Sequence, residues 1–334
     1  MHSWIHEQSP EDVLQRKTEK IQIRRAATFI GVMMLLLTVS MQFTFPVVAT
    51  ILALLGCLPD HFNSLPYLGI GNTAYLCIYA GVYVAVMGIP LLAVLGGRRL
   101  FSQKFSKKPL SFGTTLSMVV AAVGGCMLAN IITNYLLQFL NDWGVPIPEQ
   151  PQMMEPTLLS FALCLFVIAV LPAVLEEILF RGCVLRVLRP FGDGFAVLVS
   201  AVLFGLMHGN IRQIPFATIV GLVLGWMYVT TNSLLLPMVV HFINNAISVT
   251  MEYVSFGLSD SISPLFYAFV IYGLVIVGVL FAVILFIFCG SQLRKDKRIT
   301  ALRFGGKITA LLCSPVFVIS LCVFIGLTGL ELMG

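Results

Sequence analysis

The chain has 334 residues, 58% of them hydrophobic and only 10% charged, with a formal net charge of +5. Soluble globular chains carry about 25% charged residues, so this one lacks the polar surface that a core in water requires. That excludes a cytosolic enzyme, a disordered tail, a collagen and a secreted disulfide scaffold, and leaves a polytopic membrane protein. The apolar runs are continuous rather than alternating over about ten residues, which selects helices over a membrane β-barrel. The eight cysteines are scattered without a C-x-x-C pair and read as small buried apolar side chains.

The expected fold class is all-α, a polytopic transmembrane helical bundle of about nine spans. A bilayer core takes about 20 apolar residues as a helix. The candidates are 26–47, 73–95, 111–139, 157–180 with its helix continuing to 189, 195–210, 214–230, 234–252, 264–289 and 308–330. The first follows a basic segment but is long and lacks a small-residue cleavage site, so it reads as an uncleaved span. Residues 9–25 fit either a short helix lying on the inner surface or a solvated tail.

Charge placement orients the bundle. With residues 1–25 cytoplasmic, the inner segments collect Arg16 to Arg25, Arg98 to Lys108, Arg186 and Arg189, and Arg294 to Lys307, together 18 of the 20 Lys and Arg residues. Only Arg212 falls in an outer loop, and Arg181 lies inside a span. The basic balance is therefore a topology signal and implies no nucleic-acid partner. The resulting organisation is a cytoplasmic segment 1–25 followed by the membrane spans.

Ionisable side chains in hydrocarbon are costly, and those present usually face a cavity. Here they cluster. Glu176, Glu177 and Arg181 lie in the fourth segment, His208 ends the fifth, and His241 with Asn245 lies in the seventh. Glu177 and Arg181, four apart, share a helix face and can pair. Glu176 points about 100° away, which leaves its carboxylate to a cavity as a candidate general base. His241 and Asn245, also four apart, can enter one site from a single helix. The run Arg189-Pro190-Phe191-Gly192-Asp193-Gly194 reads as a turn between antiparallel helices. Glu176 and His208 each stand 16 residues from its centre, about 24 Å, and should meet at one level. For His241 to share that level, the 181–194 hairpin must project beyond the bilayer on the inner side, and a cavity opening to the cytoplasm would match it. Taken singly these residues have plainer readings: a structural ion pair, a helix-bridging histidine, and amide glue for Asn245, Asn130 and Asn134. Phe204, one turn before His208, would be ordinary packing.

Together Glu176-Glu177-x-x-x-Arg181, Phe204-x-x-x-His208 and His241-x-x-x-Asn245 resemble the three motifs of the CPBP family, the CAAX-protease and bacteriocin-processing (Abi, type II CAAX protease) intramembrane peptidases. The resemblance covers about residues 155–253 and implies a core there, flanked by variable N-terminal spans over 26–154 and C-terminal spans over 254–334. It implies hydrolysis of peptide bonds in membrane-associated proteins or peptides, with Glu176 and His208 activating water. It also implies that His241 and Asn245 stabilise the oxyanion, while Glu177, Arg181 and Phe204 support them. Family members are often named metalloproteases, so Glu176, His208 and His241 could instead ligate zinc; no cofactor is certain. The Gly209-Asn210 pair resembles bacterial members and points to a multi-pass protein of a bacterial plasma membrane. Two other readings stay open: a non-catalytic immunity or scaffold protein of the same fold, and a proton-coupled transporter, which would show mirrored halves.

Overall fold

The computed structural model describes residues 9–92, 110–148, 153–289 and 300–333. His2, His6, the basic residues from Arg98 to Lys108, Glu149 and the run Arg294 to Arg298 lie outside these. Among the described residues there are ten helices and no strand. We name them α1 (Pro10–Leu54), α2 (Asn72–Leu91), α3 (Phe112–Asp142), α4 (Leu158–Phe191), α5 (Asp193–Met207), α6 (Gln213–Thr231), α7 (Leu235–Ser255), α8 (Ser263–Cys289), α9 (Phe304–Leu312) and α10 (Pro315–Met333). Seven of them, all but α5, α7 and α9, are long and apolar enough to cross a membrane. The chain is a multi-pass integral membrane protein.

The helices depart from the expected segments in three places. Residues 9–25 are neither a tail nor a separate surface helix, because α1 runs unbroken through them. Ser9 caps its start by accepting from the Asp12 amide at 3.2 Å, and Pro10 occupies the first turn where no N–H is needed. The stripe Ile23, Ala26, Ala27, Ile30 then faces the protein interior, so packing rather than a lipid surface carries the helix onward. The expected last span 308–330 is two helices, since Pro315 cannot continue the amide ladder of α9. The third departure is α5, which has 15 residues and is about 22 Å long, less than the roughly 30 Å of a hydrocarbon core. It is too short to cross that core as a straight helix.

The turn joining α4 to α5 falls where the sequence places it, with Gly192 at φ 118°. Arg189 bridges it, donating to Asp193 Oδ1 at 2.9 Å and to the Val229 carbonyl of α6 at 2.8 Å. Val187, Leu188, Phe191 and Phe195 are buried there, in one core with the first half of α1 and with Leu302, Ala310 and Leu311. With 45 residues α1 is about 67 Å long, more than twice the hydrocarbon thickness. The hairpin therefore sits in a packed layer at one end of the bundle, beside the first half of α1. At the other end, Asn72 of α2 donates to the Met153 carbonyl at 2.7 Å.

Candidate active site

Three features of α4 prepare the site. Pro172 has no N–H, so the carbonyl four residues earlier, Ile168, loses its helical partner. Asn245 of α7 fills that gap, its Nδ2 donating to the Ile168 oxygen at 2.8 Å. Leu165–Val170 and Ile178–Leu185 are wound as π-turns, one on each side of Glu176 and Glu177; such turns are common at functional sites. The α4 helix is thus locally reshaped around its two carboxylates and tied to α7 by the amide that the sequence singles out.

The expected i,i+4 pair forms. Arg181 Nη1 donates to Glu177 Oε1 at 2.8 Å, and both residues are 0% exposed. The guanidinium also donates from Nη2 to the Gly221 carbonyl of α6 at 3.2 Å and lies 4.4 Å from the centre of the Phe204 ring. So Phe204 is more than packing, and Arg181 joins three helices. Glu177 has a second partner that helix periodicity does not disclose: His241 Nδ1 lies 2.9 Å from the same Oε1. With Nδ1–H donating to the carboxylate, Nε2 is left for other contacts. It stands 3.8 Å from Glu176 Oε2.

His208 ends α5. Its Nδ1 is 2.9 Å from the Phe204 carbonyl, an arrangement that puts the proton on Nδ1 and leaves Nε2 as acceptor. The tight approach of α5 to α6 sets its place. A Cβ added to Gly205 would meet Thr218 Oγ1 at 2.0 Å and the Ile214 carbonyl at 2.8 Å, so a glycine is needed there.

One cavity of about 530 Å³ unites these groups. Glu176, Phe204, His208, His241 and Asn245 line it, with Tyr79 and Tyr83 of α2 and Asn244 of α7. Glu177 and Arg181 are behind the wall. From Glu176 the cavity follows α4 back to Val167 and α7 forward to Ser248, with Met153 and Asn210 beyond. It thus extends away from the Arg189–Gly192 turn, contrary to an opening on the hairpin side. The reason is the short α5: the loop after His208 lies deep, and the space above it stays unfilled.

Sequence reasoning missed Tyr83 and Asn244. The Tyr83 hydroxyl donates to Glu176 Oε1 at 2.5 Å, so Glu176 is not unpartnered, while its Oε2 has no hydrogen bond. The available signal was Tyr75, Tyr79 and Tyr83, three tyrosines at i,i+4 spacing in an apolar helix. Asn244 donates to Asn245 Oδ1 at 2.9 Å. Asn130 and Asn134 bond each other along α3 at 3.0 Å, which is not the interhelical glue expected of them. The zinc alternative finds no support in the donor geometry. Among the described residues no three His, Cys, Asp or Glu side chains are grouped so as to hold a metal ion, Glu176, His208 and His241 included.

The fold and this buried cluster define a polytopic membrane protein with a carboxylate–imidazole centre between its helices. Residues 158–247 match the family model described as Type II CAAX prenyl endopeptidase Rce1-like, so the resemblance carried by the three motifs holds over the core of the chain. A Bacillus subtilis (strain 168) protein described as "Putative membrane peptidase YdiL" is 27% identical over 105 residues. That stretch is 31% of this chain and 43% of the relative, so the chain spans less than half the length of the curated protein it matches. No solved structure matches the chain.

Proposed function

We propose that the chain is an intramembrane endopeptidase of the glutamate type, cleaving peptide bonds of membrane-associated proteins or peptides. One observation carries this reading: Glu176, His208, His241 and Asn245, from three helices, line a single cavity, and the carboxylate has one oxygen without a hydrogen bond. In this reading Glu176 Oε2, with His208 Nε2 as a second acceptor, takes a proton as water adds to the scissile carbonyl carbon. The carbonyl oxygen becomes an oxyanion. The His241 ring, aligned by Glu177, and the second N–H of Asn245 stabilise it. Collapse breaks the C–N bond, and the proton held by Glu176 passes to the leaving nitrogen. The core 155–253 supplies this chemistry, with the N-terminus cytoplasmic and the protein in a bacterial plasma membrane.

The test compares peptide termini in cells expressing the native chain or Glu176→Ala. A defined set of new termini on membrane proteins should vanish in Glu176→Ala at equal expression. Retention of the same termini would defeat the assignment. The same termini placed in a membrane-tethered reporter should be cut by the purified protein. A scaffold role would instead leave the deletion phenotype rescued by Glu176→Ala.

A further inference from the structure

We infer that Tyr83 is a positioning residue of this site, so that the machinery extends to α2, outside the matched core; the inference rests on Glu176 being the general base. The phenol occupies Glu176 Oε1 at 2.5 Å. A carboxylate on a flexible three-bond stem is otherwise free to rotate either oxygen toward the reacting water or away from it. Holding Oε1 fixes the carboxylate plane and singles out Oε2, the oxygen beside His241 Nε2. A base whose geometry is set beforehand needs no reorganisation as the proton moves.

The frame around Tyr83 is built for constancy of position. Ser40 of α1 donates to the Val86 carbonyl at 3.0 Å, three residues from Tyr83, and Asn72 anchors the other end of α2 to Met153. Tyr79 stacks on the Tyr83 ring with centroids 6.4 Å apart and planes at 27°. Val82, Val86 and Met87 are buried on either side. Helix α2 can therefore neither slide nor turn without breaking one of these contacts. The hydroxyl is held at Glu176 by contacts from α1, from the chain before α4 and from its own helix.

The test is Tyr83→Phe, which removes the hydroxyl and keeps the ring, with Tyr75→Phe as the control from the same stack but outside the cavity. Purified full-length protein is assayed with the membrane-tethered reporter, and Glu176 is probed with dicyclohexylcarbodiimide, an apolar carboxyl reagent, read by mass spectrometry. Losing a hydrogen bond to a charged group should lower kcat about tenfold or more, leaving KM within about twofold. The labelling rate of Glu176 should rise about threefold or more once Oε1 is uncovered. Tyr75→Phe should move neither. A purely structural Tyr83 would lower the yield of folded protein while kcat per folded molecule and labelling held steady, and that result overturns the inference. The labelling arm is independent of proteolysis. A change in labelling without hydrolysis by any variant sustains the role of Tyr83 and rejects the protease reading, whereas unchanged labelling rejects the role of Tyr83 even if peptide is cut.

Discussion

Glu177 and Arg181 form a pair that is costly to bury and costly to break. Neither has any exposed surface, and Glu177 Oε2 and Arg181 Nε have no hydrogen-bond partner. An apolar pair of similar volume would be as stable or more so, so the pair's value lies in what it orients. Glu177 directs His241 through Nδ1, and Arg181 clamps Phe204, whose carbonyl directs His208. Removing one charge should show the cost. We expect Arg181→Ala to lose about 3–5 kcal/mol of stability by stranding Glu177, seen as a lower midpoint in thermal unfolding in detergent. The double change Glu177→Leu with Arg181→Met should recover much of that midpoint yet leave the reporter uncut, because His241 Nδ1 no longer meets a carboxylate. An Arg181→Ala protein as stable as the native one would show that the pair is not energetically closed. This network was half legible in the amino-acid sequence. The i,i+4 spacing announces the ion pair, but nothing local says that a histidine 64 positions away shares its acceptor oxygen. The spacing reads Asn245 as a companion of His241 in the site or as amide glue, and does not by itself connect it to the Ile168 carbonyl that Pro172 leaves free.

At the level of helices, the site depends on one being short. A full-length α5 would carry His208 past Glu176 and fill the space the cavity occupies. Hydropathy over 195–210 suggests another span because it sees only apolar content, and α5 after its first turn has Ser200 as its one polar side chain. The opposite error is close at hand in α7: at 21 residues it is long enough to span, yet His241, Asn244, Asn245 and Glu252 keep it outside the set of strongly apolar helices. The polar groups that identify the site thus weaken the signal of the helix bearing them. What holds α5 at its depth is the close contact with α6 at Gly205, and glycines within α5 supply the test. Gly205→Ala must displace the Ile214 carbonyl, which is backbone and cannot swing aside, and we expect a loss of about 1–3 kcal/mol. Reporter cleavage should fall with it as His208 shifts. Gly194, in the first turn of the same helix, has nothing within 4 Å of an added Cβ. There an alanine should be neutral or gain up to about 1 kcal/mol from helix propensity. Equal unfolding midpoints for the two variants would show that the contact does not constrain the helix.

For the molecule as a whole, the face of the membrane that the cavity addresses follows from the course of α1 and from two contacts. Helix α1 is long enough to separate its ends across any bilayer, so Pro10 and Cys57, which follows its last turn, lie on opposite sides. Asn72 begins α2 a short way after Cys57 and is bonded to Met153, a residue of the cavity wall. The cavity therefore extends toward the Cys57 side, while the α4–α5 turn packs beside the first half of α1. Charge arithmetic leads us to expect the basic first turns of α1, Arg16 to Arg25, on the cytoplasmic side, and the cavity should then draw substrate from the outer half of the bilayer. Exposed Cys57 allows a direct measurement. In a variant keeping Cys57 alone, a membrane-impermeant maleimide should label intact cells. In an Arg16→Cys variant with every native cysteine replaced, labelling should require permeabilisation. The reverse pattern would turn the bundle over and give the site to cytoplasmic substrates. Labelling of both positions from one side would deny that α1 spans, and with it the orientation of every helix that follows.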